Sequence, residues 1–277
     1  MRTVSESLRE YARGLAGGLL FSLPLLYTME VWWAGFTSHP WRLACYVAAT
    51  FVLLLGYNYF VGLRRDSCFS EVVIDSVEEM GLGILVALVI LWLLGRVTAG
   101  MPLEEAAGTV VIEAMTVAVG VSVGTSQLGA GDGDDDKGVS GARPSAAGGF
   151  GGQLVVALCG AVLFAANVAP TEEIVMIAVE ISAWRLLGLA ALSLALGALV
   201  LYYSEFAGSK KHVVFDRRHD VLVGGVVTYA VALAASAAIL FFFGRFDGQA
   251  LATCVAQTVV LGVAATLGAS AGRLLLQ

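Results

Sequence analysis

Charge is scarce in this chain. Only 14% of its 277 residues are Asp, Glu, Lys or Arg, and 58% are hydrophobic, whereas soluble domains carry about 25% charged residues. With a mean hydropathy of +0.83 and long uncharged runs, that shortage excludes an ordinary soluble domain and implies a polytopic membrane protein. The basic residues that exist are scattered at helix ends and form no stripe, which excludes a nucleic-acid partner. Cysteine is sparse too. Cys45, Cys68, Cys159 and Cys254 make no CxxC and no zinc spacing, so no disulfide framework is expected. Three of them fall inside apolar runs and read as small core residues, and Cys68 reads as a loop thiol. None of the three histidines pairs with an acid at metal-ligand spacing. With no nucleophile triad, P-loop or dinucleotide fingerprint, neither an enzyme nor a cofactor is expected.

What is present is a series of apolar runs near the length of about 20 residues that spans a bilayer. They cover 14–36, 41–62, 75–97, 103–125, 152–182, 184–205, 220–244 and 250–273. The fold class is therefore all-α, a transmembrane bundle of eight spans. The first run follows Arg2, Arg9 and Arg13 and is too long for a cleaved signal, so it reads as a signal anchor. The fifth contains Pro170, which removes a backbone donor and biases Ala169 out of the helix. It reads as a span followed by a short interfacial helix. Twelve of the sixteen basic residues lie on the amino-terminal side; Arg42, Arg96, Arg185 and Arg245 lie opposite. By the positive-inside rule both termini are cytoplasmic.

Internal echoes divide the chain. Leu19-Leu20-Phe21 and Thr28-Met29-Glu30 recur as Val162-Leu163-Phe164 and Thr171-Glu172-Glu173, and Trp41-Arg42-Leu43 as Trp184-Arg185-Leu186, all 143 residues on. After six extra residues near Lys210–Arg218 the spacing becomes 149, matching Gly95-Arg96 to Gly244-Arg245 and Thr109-Val110-Val111 to Thr258-Val259-Val260. Residues 1–125 and 152–277 thus read as two four-helix repeats. An even helix number makes them parallel, not inverted. Between them, 126–151 reads as a flexible, acidic, Gly-rich cytoplasmic linker. Its Asp132, Asp134 and Asp136 mimic the start of an EF-hand, but Lys137 and Arg143 stand where the glycine and the bidentate Glu belong. Gly14/Gly18, Gly120/Gly124 and Gly268/Gly272 have the GxxxG spacing that lets helices approach closely.

The spans also carry acids, which are costly in hydrocarbon. Glu113 lies near the middle of its run, and Glu30, Glu172, Glu173 and Glu180 in outer parts. Glu71, Asp75 and Glu79 share one helix face, with Glu78 beside it. No Lys or Arg is expected at these depths. A buried carboxyl without a basic partner stays protonated, binds a cation or faces water, and each outcome suits a cation or proton path. Glu113 and Glu173 are the leading ion- or proton-binding candidates, followed by Glu30, Glu172 and Glu79, with Thr171 and Asn167 as neutral oxygen ligands. A hard divalent ion would want such oxygens; no metal is identified. Simpler readings stand beside these. Thr171 with Glu172 and Glu173 is also a good helix start, and Glu30 sits by the aromatic pair Trp32 and Trp33.

The run Leu20-Phe21-Ser22-Leu23-Pro24-Leu25-Leu26-Tyr27-Thr28-Met29-Glu30-Val31-Trp32-Trp33, with Asn167-Val168-Ala169-Pro170-Thr171-Glu172-Glu173, resembles a bacterial family of integral membrane proteins of unassigned function. The resemblance spans most of the chain outside 126–151 and implies a bacterial inner-membrane location but no reaction. The duplicated acidic motif is similar in kind to that of cation exchangers. Their repeats are inverted, so their mechanism is not carried over. The expected function is a cation transporter or channel, proton-coupled in one form. The alternative is a non-transporting sensor or assembly protein acting through its cytoplasmic loops. The expected partners are the lipid bilayer and an inorganic cation or proton, and the sequence allows a homo-oligomer.

Overall fold

Apolar runs of this length fold as helices because lipid offers no partner for the backbone, so each N–H and C=O must be satisfied within its own segment. A computed structural model describes residues 4–61, 69–128, 150–208 and 217–274, with side chains described for 8–61, 69–128, 150–200 and 223–273. All regular structure among the described residues is helical. The helices are α1 (Val4–Leu26), α2 (Met29–Thr37), α3 (Pro40–Val61), α4 (Phe69–Leu93), α5 (Leu103–Leu128), α6 (Phe150–Ala166), α7 (Glu172–Glu180), α8 (Ala183–Gly208), α9 (Arg217–Phe242) and α10 (Leu251–Leu274). They fall into two units, Met1–Val155 and Val156–Gln277. The acidic linker with its Asp132–Asp136 run lies outside the described residues, as do Cys68 and the loop 209–216.

Six helices are long and apolar enough to cross a membrane: α3, α4, α5, α8, α9 and α10. The count becomes seven if α1 and α2 are one broken span. The eighth expected crossing falls on α6, which is apolar but only 17 residues long. The largest departure from the sequence reading is at the first run. Residues 14–36 do not form one helix; α1 and α2 meet at 86°. Pro24 lies inside the last turn of α1 and has no N–H for the ladder. The chain then closes with Tyr27 N–H and Thr28 N–H donating to the Pro24 and Leu25 carbonyls, at 3.3 and 2.8 Å. The Thr28 hydroxyl also donates to the Pro24 carbonyl, at 2.8 Å.

In the second unit Pro170 marks the anticipated break. Val168 and Ala169 N–H both donate to the Ala165 carbonyl, at 3.1 and 2.8 Å, and α7 starts at Glu172. Thr171 is its extended N-cap residue, but the side chain makes no cap bond; its hydroxyl turns back to the Val168 carbonyl at 2.9 Å. At the far ends of α4 and α9, Gly95 and Gly244 adopt φ of 68° and 73°. The N–H of the following arginine reaches back to the Leu91 or Leu240 carbonyl, at 2.8 and 2.9 Å. This is the αL helix terminator that glycine forms most readily. It accounts for the glycine of the recurring Gly-Arg pairs.

Within the first unit α5 packs against α1, α2, α3 and α4. The apolar window of α5 is 83% buried, whereas that of α8 is 11% buried, so α5 is a core helix and α8 leaves most of its surface for lipid. The approach to α1 is through backbone. A Cβ added at Gly17 would collide with Gly124 Cα, and one at Gly120 would press on Gly18 Cα. In the second unit α10 packs against α7, α8 and α9, and Gly160 of α6 meets Gly268 and Gly272 in the same manner. All three small-residue pairs therefore lie in helix seams. Of the expected core cysteines, Cys159 is buried and Cys254 half-buried, but Cys45 is exposed.

Candidate functional site

The centre of α5 holds a carboxyl that, among the described residues, is fully buried. Glu113 is the eleventh residue of a 26-residue helix, about 15 Å from its start at 1.5 Å per residue. Its side chain is fully buried. Neither carboxyl oxygen has a hydrogen-bond partner. Thr116, one turn along the same face, shares a hydrogen bond with the Tyr46 hydroxyl of α3 at 3.0 Å, and Tyr46 lies within electrostatic reach of Glu113. Ser22 of α1 is likewise fully buried, with its hydroxyl unpartnered.

A second polar cluster joins α3, α4 and α5 nearer the C-terminal end of α5. Asn58 donates from Nδ2 to Glu79 Oε2 at 2.7 Å and to Ser76 Oγ at 3.0 Å. Its Oδ1 accepts from Ser122 Oγ at 3.3 Å. The Ser76 hydroxyl itself donates to the Val72 carbonyl at 2.8 Å. Both donors and the acceptor of the amide are thus engaged. Asp75 and Glu10 act electrostatically on Glu79. A cavity of about 40 Å³ opens here, lined among others by Glu10, Asn58, Glu78, Glu79 and Ser122. That is room for water beside polar partners. Glu71, Asp75 and Glu79 are all half-buried on their shared face, while Glu78 is exposed.

The two clusters do not run together. Thr116 and Ser122 are six residues apart on α5, about 9 Å, and Val117, Ala118, Val119, Gly120 and Val121 between them are buried. The two clusters are therefore separate polar levels of this unit. Glu30 is half-buried on α2. Two residues along, the ring of Trp32 lies 4.6 Å from the Arg96 guanidinium, so a basic group does stand at that end. Glu172 and Glu173 are both exposed at the start of α7 in the second unit. Asn167 is half-buried and donates to the Leu163 carbonyl at 2.6 Å, and Thr171 is bonded to backbone as described. Among the described residues no three His, Cys, Asp or Glu side chains converge as metal ligands.

Sequence reasoning missed Ser22, Tyr46, Thr116, Asn58 and Ser122. The available signal was Asn58, an amide inside an apolar span, where such groups usually hydrogen-bond across helices. Hydroxyls carry less signal because they can bond back to their own helix, as Thr125 does to the Val121 carbonyl at 2.8 Å.

Long apolar helices with glycine seams and buried polar clusters define a multi-pass helical membrane protein, embedded in the lipid bilayer. Residues 10–276 match the family described as "Putative integral membrane protein (DUF2391)", and the chain belongs to that family. No curated protein and no solved structure matches it.

Proposed function

We propose that this protein moves a cation or proton across the membrane through its first unit, with Glu113 as the binding group. The observation that carries the reading is the Glu113 carboxyl, fully buried at mid-helix with both oxygens unpartnered. An unsatisfied buried polar group costs about 1–3 kcal/mol, and more if charged. A transported cation or proton is a physical reason to keep it. The Asn58–Glu79 cavity admits water at a separate level of the unit, and the buried stretch between Thr116 and Ser122 must part for an ion to pass from there to Glu113. Glu30 raises the cation concentration at the rim; in the second unit Asn167 and Thr171 shape the α7 start, where Glu172 and Glu173 are exposed. The protein acts without catalysis.

In the same reading the broken pairs α1–α2 and α6–α7 each open a repeat, which gives eight crossings, parallel units and cytoplasmic termini in a bacterial inner membrane. In support, α2 and α7 start 143 residues apart, as do α3 and α8, and the two glycine terminators are 149 apart.

The test is flux in proteoliposomes offered H⁺, Na⁺, K⁺ and Ca²⁺ in turn. Flux of at least one ion is expected, with Glu113→Gln reduced to the level of empty liposomes while eluting as a native particle. No flux of any of the four, or full flux in the variant, would overturn the reading and leave a sensor or assembly role.

A further inference from the structure

The α1–α5 seam fixes what faces Glu113. A Cβ on Gly14 would touch Thr125 and Val121, and one on Gly18 would touch Val121 and Val117. Four residues forward on α1 correspond to four backward on α5, so the helices run antiparallel in that register. The next step carries Ser22 to the level of Val117 and Glu113. Tyr46 joins from α3, through its 3.0 Å hydrogen bond to Thr116 of α5, three residues past Glu113. All four side chains are at least 97% buried, with relative exposures of 0% for Ser22, Glu113 and Thr116 and 3% for Tyr46. Leu25 and Leu26 on α1 and Ala114 and Val117 on α5, close by along the chain, are buried as well.

Two of these groups lack partners, on two different helices. A proton on Glu113 would neutralise its charge and supply one O–H, which can be given to a single acceptor such as the Ser22 hydroxyl. A metal cation can take oxygen lone pairs from both sides of the seam at once. The set offers two carboxylate oxygens and three hydroxyl oxygens but a single negative charge. A divalent ion there would leave one positive charge uncompensated in a low-dielectric interior, and calcium takes 6–8 oxygen ligands, usually with several carboxylates. The second unit offers an internal comparison. At the corresponding spacings of 143 and 149 stand Ala165, Leu189, Gly262 and Ala265. The hydroxyl on α1, the phenol on α3 and the acid and hydroxyl on α5 are all replaced by apolar residues, as expected of groups that serve one site.

We infer that Ser22, Tyr46, Glu113 and Thr116 form one occluded site for a monovalent metal cation, which enters as Glu113 gives up a proton and leaves as it regains one. Charge is conserved, with one proton out for each cation in. The inference rests on the transport reading for its purpose, but the site is testable by binding alone. The purified full-length chain in detergent is treated with dicyclohexylcarbodiimide, which attacks protonated carboxyls in apolar surroundings, and labelled peptides are read by mass spectrometry. Glu113 is expected to be labelled. Na⁺ or K⁺ should slow the labelling, while Mg²⁺ and Ca²⁺ at equal ionic strength should not. Ser22→Ala, which removes one atom from a buried seam, should still be labelled but need about tenfold more cation for the same protection, the scale of one lost ligand contact.

An unlabelled Glu113 in natively eluting protein, protection by divalent ions equal to that by monovalent ones, protection by neither, or an unchanged Ser22→Ala would each overturn the site. Protection without flux would leave the site standing and remove the transport reading. Flux without protection would do the reverse.

Discussion

Glu113→Leu should make this protein more stable. Glu113 is buried with two unpartnered oxygens, and relieving an unsatisfied buried polar group is worth about 1–3 kcal/mol. Leucine is of similar size and continues an α5 surface already built of Val110, Ile112, Ala114 and Val117, so a clash is not expected. For a chain of this length about 2–4 °C of melting temperature accompanies each kcal/mol. The purified variant should therefore melt several degrees above the wild type when loss of the monodisperse peak is followed by fluorescence-detected size exclusion after heating. Glu113→Gln supplies the control. Its amide is just as unpartnered, so its melting temperature should stay near that of the wild type. A fall in melting temperature for Glu113→Leu would refute the reasoning, because it would mean that the carboxyl contributes a structural bond and that its retention needs no functional explanation.

Three further outcomes follow from the packing. Gly17→Ala places a Cβ against Gly124 Cα and should cost about 1–3 kcal/mol, the range for overpacking; Gly100→Ala, in open space, should be neutral in the same melting assay. Gly95→Ala and Gly244→Ala each force a side chain into the left-handed region, and should each lower stability by about 1–2 kcal/mol, with closely similar melting shifts. Asn58→Ala removes three hydrogen bonds from the α3–α4–α5 junction and should cost more than 1 kcal/mol. Glu79→Gln, whose amide oxygen still accepts from Asn58, should melt close to wild type.

Much of the helical plan was legible in the sequence because lipid imposes a length and a hydropathy that few other environments demand. The runs 41–62 and 103–125 became α3 and α5 with ends shifted by no more than three residues. Pro170 announced its break because two acids followed it. Pro24 gave no such signal: the three residues after it, Leu25, Leu26 and Tyr27, are apolar or aromatic, and a proline in a last turn leaves the hydropathy of a run intact. The site was harder to foresee. Hydropathy reports that Glu113 is in a span, not which face it occupies or what crosses from α1. That depends on the glycine register of the α1–α5 seam, in which Ser22 is an unremarkable serine by composition. Glu172 and Glu173, which the sequence offered both as site acids and as a helix start, lie exposed at the first turn of α7.

The placement of α5 also constrains how the protein is made. Its four neighbours, α1 to α4, all precede it in the chain, and chains are synthesised from the amino terminus. When α5 leaves the ribosome, the helices that will cover Glu113 have already been translated, so its acid can pass from the insertion machinery to waiting neighbours with little exposure to lipid. The same order holds for α10, which follows α7, α8 and α9. Moving either helix to the front of its unit by circular permutation would leave it to insert before its neighbours exist, with α5 the more sensitive because it alone of the two carries an acid at mid-depth.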